Sequence, residues 1–169
     1  MVFAFNPLPD DNFNPQFKSG ELVNSYEMMM LDLIELCLGD RFRYFAEYPL
    51  EKICHRTGWI DDKETWQFLV SSHVDIAVMK KGLGSDRKAA LVIECQSWYH
   101  DDPHAQERDN RKVQLLKTVG VPLIYIRQVA QDHRYYRFYT PDGTAEIFYN
   151  LVTQENRGEL EAFLLRHCG

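Results

Sequence analysis

The sequence predicts an α/β domain with a mixed central sheet, on three observations. Apolar residues recur at helical spacing in segments near the start, the middle and the end of the chain. Between these segments lie short runs that alternate or are continuously apolar, as strands do. Two aromatic-rich runs near the C-terminus flank the turn sequence Pro141–Thr144 (PDGT), which predicts a β-hairpin. The length of 169 residues suits one domain.

The first half of the chain predicts one long helix and three strands. The helix covers Glu21–Leu38 and ends before a glycine, a typical C-cap. The aromatic run Arg41–Leu50 predicts the first strand, and residues 51–71 predict a short helix and a loop. His73–Met79 predicts the second strand. Ala89–Gln96 predicts the third, and its continuous apolar run is typical of a strand covered on both faces.

The second half predicts a helix, a strand, the hairpin and a last helix. Pro103–Val119 has apolar residues at helical spacing, and the strand Pro122–Arg127 follows after a short connection. Residues 134–140 and 145–151 form the arms of the hairpin, and Asn156–His167 predicts an amphipathic helix. The core order is therefore αβββαβ, with the hairpin and a helix added at the C-terminus.

Composition and charge exclude several classes of protein. With 26% charged and 13% aromatic residues the chain is globular, and no apolar run approaches the ~18 residues of a membrane span. Residues 1–19 are rich in Pro and Asn and predict an irregular lead-in rather than a signal peptide, before a single domain over 20–169. Four widely spaced cysteines favour a reduced, cytoplasmic protein. The net charge of −6 disfavours a globally basic nucleic-acid binder but leaves room for a local basic face.

Two acidic residues stand where core strands should be apolar. Asp75 lies inside the second strand and Glu94 inside the third. The apolar residues around Asp75 are expected to share one face of the strand: Val74, Ile76 and Val78. Buried carboxylates are costly unless they are paired or bind a cation, and oxygen ligands of this kind suit Mg²⁺ or Mn²⁺. At the ends of adjacent antiparallel strands the two acids can converge, although a salt-bridge role for each stays open.

A polar and basic segment follows the third strand. Gln96 shares a strand face with Glu94, because strand side chains repeat every two residues. His100 and His104 lie beyond it, either as proton-transfer groups or as residues that cap the next helix. Residues 104–134 carry six Lys or Arg and three Asp or Glu, a local balance of +3. This charge predicts either a phosphate-binding face or an ordinary solvated helix.

The order of these elements carries a resemblance to a known family. Asp75 is followed after 18 residues by Glu94, and Gln96 stands two positions further on, within the αβββαβ order. This pattern resembles the PD-(D/E)XK nuclease superfamily, which has the restriction-endonuclease-like fold. The stretch from HVDIAVM to PLIYIR looks like the bacterial branch allied to the very-short-patch mismatch-repair endonucleases. The resemblance covers residues 20–127 and implies a nuclease-like core there.

The resemblance implies roles for the acidic residues and their neighbour. Asp75 would be the central metal-binding acid and Glu94 the second ligand. Glu27, on the first helix, matches an acid that some branches add to the metal site, although an ordinary surface Glu fits the same position. Gln96 stands in the place of the catalytic Lys of the superfamily, or of the Asp that is common in the closer relatives. Its amide can form hydrogen bonds but cannot supply a positive charge.

The resemblance implies further roles beyond the third strand. His100 matches the loop histidine that the short-patch branch uses in catalysis, and Asp109 and Lys112 match polar positions of the following helix. Arg108, Arg111 and Lys112 would bind the phosphate backbone and stabilise transition-state charge. Because position 96 is not a Lys, either Lys112, His100 or a second metal must supply its function.

The expected function is a metal-dependent nuclease that hydrolyses phosphodiester bonds, in DNA, with Mg²⁺ or Mn²⁺ as cofactor. The alternative is a degenerate member of the fold that binds nucleic acid or protein without cleavage, which Gln96, the acidic net charge and the aromatic hairpin favour. A thiol enzyme built on Cys95 and His100 is disfavoured, because the Cys95 side chain should point away from its strand neighbours. No membrane partner is expected, and a homodimer or a partner protein stays open.

Overall fold

The protein folds as a six-stranded mixed sheet with helices around it, which confirms the α/β class. A computed structural model describes residues 24–55, 62–96 and 103–168. The helices of these residues are α1 (Ser25–Leu38), α2 (Leu50–Ile53), α3 (Lys63–Ser71), α4 (Pro103–Thr118) and α5 (Arg157–His167), with a 3-10 turn at Gly39–Arg41. The strands are β1 (Phe42–Pro49), β2 (His73–Lys80), β3 (Ala89–Gln96), β4 (Leu123–Gln128), β5 (Tyr135–Tyr139) and β6 (Glu146–Asn150).

The strands lie side by side in chain order, from β1 to β6. β3 and β4 run parallel, and the other neighbouring strands in the described part of the chain are antiparallel. A parallel pair needs a crossover connection, and α4 lies in that connection. The predicted mixed sheet is therefore present, and the predicted hairpin is formed by β5 and β6.

The observed elements differ from the predicted ones mainly at their ends. α1 begins at Ser25 rather than Glu21, because the Asn24 side chain caps it by accepting a hydrogen bond from the backbone N–H of Glu27 over 2.9 Å. In the stretch 51–71 a second helix, α3, stands beside the short α2, and the Asp62 carboxylate caps it. The predicted lead-in over residues 1–19 lies outside the described residues.

The sheet has a hydrophobic core on each face. Successive residues of β3 alternate between them, with Leu91 and Ile93 in one core and Val92 in the other. α1 and α5 cover the first core. The helices over the second core contribute buried leucines: Leu50, Leu69 and Leu116. Because helices cover both faces, β3 is buried along most of its length, and its continuously apolar sequence follows from this.

The described helices are short. α4 has 16 residues and a polar, charged sequence, whereas a membrane span needs ~20 mostly apolar residues. Within residues 24–55, 62–96 and 103–168, no helix has the length and apolarity to cross a membrane.

The four cysteines are free thiols inside or at the edge of the two cores. Cys37, Cys54 and Cys95 are buried, and Cys168 is partly exposed. Burial raises the pKa of Cys37, Cys54 and Cys168 to about 11, and it also raises the pKa of Cys95. Cys37 and Cys95 pack as small residues of the first core. The thiol-enzyme alternative is further weakened, because the thiolate is the nucleophilic form of cysteine.

Candidate functional site

The two acids singled out in the sequence lie at one end of the β2–β3 ladder. The ladder pairs Ile76 with Ile93, and Asp75 and Glu94 occupy the next position on each strand. The backbone N–H of Cys95 donates to Asp75 Oδ2 over 2.6 Å. The Asp75 carboxylate therefore lies against β3 and accepts a hydrogen bond from the backbone of that strand. The structure brings the two acids to the same place, as expected for consecutive antiparallel strands.

β2 departs from regular alternation at Asp75. Ile76 and Val78 pack in the core under α1 and α5, whereas Val74 packs in the core on the opposite face. The expectation that these three residues share one face is therefore wrong. Residues two apart on a regular strand point to the same side, so the strand turns at the position between Val74 and Ile76. The bond from Cys95 to the Asp75 side chain marks this point.

Asp75 belongs to a group of three carboxylates, here called the acidic trio: Glu27, Glu47 and Asp75. They come from α1, β1 and β2, and each has an oxygen within 4.8 Å of an oxygen of the other two. The β1–β2 register places Glu47 opposite Asp75. Glu47 has a φ of 48°, in the left-handed region that non-glycine residues adopt uncommonly. Three elements thus present acidic oxygens to one point.

Glu27 is the most buried member of the acidic trio. The residue is only 9% exposed, and its Oε2 is buried without a hydrogen-bond partner in the described structure. Burial raises the pKa of Glu27, and the nearby carboxylates of Asp75 and Glu47 raise it further. A buried carboxylate among like charges is unfavourable unless a proton or a cation joins it. The acidic trio is therefore suited to a hard divalent cation such as Mg²⁺ or Mn²⁺.

Glu94, by contrast, has a cation from the protein itself. Lys112 Nζ, from α4, lies 2.8 Å from Glu94 Oε1 and 2.9 Å from Oε2. The Glu94 side chain is 6% exposed and the Lys112 side chain is 15% exposed. Burial and the neighbouring Asp75 raise the pKa of Glu94, while Lys112 acts in the opposite direction. Both Glu94 oxygens thus bind an ammonium group, and Glu94 lies outside the acidic trio.

Gln96 is held from two sides. The Tyr139 hydroxyl, from β5, donates to Gln96 Oε1, and Gln96 Nε2 donates to Asp109 Oδ2 over 3.4 Å. With Glu94 and Lys112, these residues form what is here called the paired cluster: Glu94, Gln96, Asp109, Lys112 and Tyr139. The position that the resemblance assigns to a catalytic Lys thus holds an oriented amide. Lys112 brings an ammonium group to the same cluster from the helix instead.

Two members of the acidic trio and three members of the paired cluster line a polar cleft of about 550 Å³. Its charged lining includes Glu27, Asp75, Glu94, Arg108, Asp109 and Lys112. Four of these six residues are acidic and two are basic. An anionic substrate such as a phosphodiester would meet net repulsion there unless a cation bound first.

The predicted phosphate-binding residues of α4 separate into two groups. Arg108 is exposed and lines the cleft, next to Lys112. Arg111 is instead bound by Glu64 Oε1 over 2.5 Å and by Glu107 Oε1 over 2.9 Å, beside the ring of Phe68. The structure therefore does not bring Arg111 to the cleft.

The two histidines considered for proton transfer, His100 and His104, are not among the described residues that line the cleft. His104 is exposed in the first turn of α4, and His100 lies outside the described residues. The predicted role of His100 therefore stays a prediction. A different histidine lines the cleft: His73, at the start of β2.

Sequence reasoning missed two residues of the site, Glu47 and Tyr139. Glu47 reads as a solvent-facing residue of an alternating strand, and no sequence signal announces its left-handed backbone. Tyr139 lies in the hairpin, where its aromatic character suggests base stacking or packing. Its hydrogen bond to Gln96 follows from the β4–β5 pairing, which places Tyr139 beside Tyr125.

The chain matches a family described as a protein of unknown function, DUF2726, over residues 19–137. This match covers well over half of the chain. The protein belongs to the DUF2726 family. The matched segment runs from before α1 into β5, so it contains the acidic trio and all of the paired cluster except Tyr139. Neither the curated proteins nor the solved structures contain a significant match to the chain.

Proposed function

We propose that this DUF2726 protein is a divalent-cation-dependent nuclease, with a PD-(D/E)XK-like core, that hydrolyses phosphodiester bonds in DNA. One observation carries the proposal. Glu27 Oε2 is buried without a hydrogen-bond partner in the described structure, beside the carboxylates of Asp75 and Glu47, at a cleft lined by Lys112 and Arg108. A cation is the group that this arrangement lacks. Phosphate is the group that its basic residues suit.

The donor set fits the proposed cation. Asp75 and Glu27 offer carboxylate oxygens, the ligands that Mg²⁺ and Mn²⁺ prefer in proteins. When bound, such a cation polarises a phosphate oxygen and lowers the pKa of a bound water. Asp75 is already oriented for this role by the backbone N–H of Cys95.

Lys112 would take the part that Gln96 cannot play. An ammonium group has three N–H donors, and two of them are directed at the Glu94 oxygens. The remaining donor can orient a water or a phosphate oxygen in the cleft. The Glu94 carboxylate fixes the position of Lys112, so the pair acts as one oriented unit.

Arg108 would hold the substrate backbone. It is exposed at the cleft, and residues 104–134 carry a local charge of +3 in a chain of −6. Guanidinium groups bind phosphate oxygens in a bidentate manner, which positions a backbone without reading its sequence.

The test is cleavage by matched variants. Wild type, Asp75→Asn and Glu161→Gln are incubated with supercoiled plasmid, linear duplex, mismatched duplex and single-stranded RNA, in Mn²⁺, Mg²⁺ or EDTA. Glu161 lies on α5 in an exposed pair with Arg41 and serves as the control. We expect Mn²⁺-dependent DNA cleavage by wild type and the control, and none by Asp75→Asn. Equal cleavage by a folded Asp75→Asn would overturn the proposal. Cleavage of RNA but not of DNA would overturn the choice of DNA as substrate.

A second candidate is a nucleic-acid-binding module that does not cleave. The observation in its favour is that Gln96 is engaged by Tyr139 and Asp109, and Lys112 by Glu94. Salt-dependent DNA binding that weakens in Arg108→Ala, without cleavage in any cation, would favour this module over the nuclease.

A further inference from the structure

The backbone of β1 is distorted at Glu47 without any change of register. β1 and β2 pair in one register on both sides of this residue, so the strand contains no inserted residue there. Glu47 nevertheless has a φ of 48°. A non-glycine residue in this region carries strain, and strain of this kind persists where the surrounding structure enforces it and clusters at functional sites.

The distortion is accompanied by an unfavourable electrostatic arrangement. Glu47 is an exposed residue at the sheet edge, where its carboxylate could extend into water. Instead one of its oxygens lies within 4.8 Å of oxygens from Glu27 and Asp75. Like charges at this distance repel one another. The strained backbone and the repulsion thus occur at the same residue, and a cation bound among the three carboxylates would offset both.

An independent observation points to a missing ligand at the same place. Glu27 is more than nine-tenths buried, and its Oε2 has no hydrogen-bond partner in the described part of the chain. Buried carboxylate oxygens are normally paired or coordinate a metal. The site is therefore more than a group of surface acids, since one of its members is buried and has an oxygen without a hydrogen-bond partner in the described residues.

We propose that Glu47 is a third carboxylate ligand of the divalent cation, so that the cation is held across α1, β1 and β2. This inference rests on the cation of the proposed function and assigns it a position. Glu94 is not needed as a ligand, because both of its oxygens bind Lys112. The cation would therefore lie on the β1 side of Asp75, with the Glu94–Lys112 pair on the other side.

The test measures Mn²⁺ binding directly. Free Mn²⁺ is followed by electron paramagnetic resonance during titration of wild type, Glu47→Gln and Glu35→Gln. Glu35 is an exposed glutamate of α1 and serves as the matched control. We expect one Mn²⁺ site in wild type and the control, and an affinity lower by about tenfold or more in Glu47→Gln. Unchanged affinity in a folded Glu47→Gln would overturn the inference.

Glu47→Gly provides a second readout that a merely structural role would not give. Glycine adopts positive φ without a steric penalty, so the cation-free variant should melt at a higher temperature than wild type. It should also lose the rise in melting temperature that Mn²⁺ gives wild type. A variant that retains the full Mn²⁺-dependent rise would show that Glu47 is not a ligand.

The failure of this inference can be told apart from the failure of the proposed function. If Mn²⁺ binds with the expected dependence on Glu47 and no nucleic acid is cleaved, the nuclease is wrong and the ligand stands. If Mn²⁺-dependent cleavage occurs and Glu47→Gln binds Mn²⁺ as wild type does, the nuclease stands and the ligand is wrong. If wild type binds neither Mn²⁺, Mg²⁺ nor Ca²⁺, the inference is overturned whatever the cleavage result.

Discussion

Asp75 and Glu94 occupy matching positions on neighbouring strands, yet the protein treats the two carboxylates differently. Glu94 is paired with Lys112 through both oxygens. Asp75 accepts a hydrogen bond from a backbone N–H and lies near two further acids, Glu27 and Glu47. The negative charge of Glu94 is therefore compensated by a lysine of the same chain. The Asp75 carboxylate lies beside two carboxylates whose negative charges repel its own.

This difference shows that the position of a carboxylate on the sheet does not determine whether a cationic side chain pairs with it. The strand register brings both acids to one end of β2 and β3. The charged helix residues beside them differ: Lys112 of α4 pairs with Glu94, and Glu27 of α1 lies near Asp75. The two helices pack on opposite faces of the sheet. A substitution that removes charge should therefore have opposite effects on the two sides.

The largest expected effect is on the paired side. Lys112→Met removes the ammonium group but keeps the length of the side chain, and it leaves Glu94 buried without a cation. We expect the free energy of unfolding to fall by about 2 kcal/mol at pH 9.5, where Glu94 is ionised in wild type, measured by urea denaturation. The double variant Lys112→Met/Glu94→Gln should recover most of this loss. A double variant as unstable as the single one would show that Lys112 stabilises the fold by packing alone.

The loss in Lys112→Met should depend on pH. Burial raises the pKa of Glu94 above its ordinary value of 4.5, and removal of Lys112 should raise it further. Above pH 4.5 the folded state then binds more protons at Glu94 than the unfolded chain does. In wild type that pKa is about 8, so both proteins lose stability as the pH rises to about 8, and only the variant continues to lose it above that pH. The stability of the variant should therefore fall, relative to wild type, as the pH rises from 7 to 9.5. Urea midpoints at both pH values measure this, and a difference that does not change with pH would contradict it.

A smaller effect of opposite sign is expected on the acidic side. Glu27→Gln removes one of the three like charges and the buried ionised oxygen. In EDTA at pH 8 we expect the variant to be more stable than wild type by about 1 kcal/mol. Glu35→Gln, on the same helix, should change little. If Glu27→Gln is the less stable protein, the acidic trio is compensated within the chain and the contrast between the two sides fails.

The smallest effect is expected at the edge of the paired cluster. Tyr139→Phe removes the hydroxyl that donates to Gln96 and keeps the ring contact with Tyr125. The expected loss is about 1 kcal/mol or less, because water can reach this partly exposed site. The exposed Tyr135→Phe serves as the control in the same urea assay. A loss as large as that of Lys112→Met would make the hairpin an essential support of the cluster.

Much of the fold could be predicted because its signals are local. The continuous apolar run Ala89–Gln96 gave the bounds of β3, since burial on both faces dictates an apolar sequence. The convergence of Asp75 and Glu94 followed from two consecutive antiparallel strands. The break in alternation at Val74 could not be predicted, because it coincides with a hydrogen bond between the Asp75 side chain and a neighbouring strand, which the local sequence does not indicate.

The composition of the site was harder to predict because its partners are distant in sequence. Glu47 lies four residues after Arg43 on an alternating strand, so the two side chains are expected on the same face, and their charge predicts that this face is exposed to solvent. Its place opposite Asp75 depends on the β1–β2 register, and two helices separate these strands in the chain. Arg111 looked equivalent to Arg108 on α4. The neighbouring carboxylates of Glu64 and Glu107 decide otherwise.

The burial of the cysteines offers a practical advantage for locating a bound cation. A thiol with a pKa of about 11, as burial gives Cys37, Cys54 and Cys168, is ionised in only about one molecule in a thousand at pH 8. The native chain should therefore react slowly with maleimides and thiosulfonates. A cysteine introduced as Leu83→Cys, at the exposed turn between β2 and β3, would be labelled selectively by a nitroxide. The spin–spin coupling of that label with Mn²⁺ would then report the distance to the ion, because the buried native cysteines would carry little label.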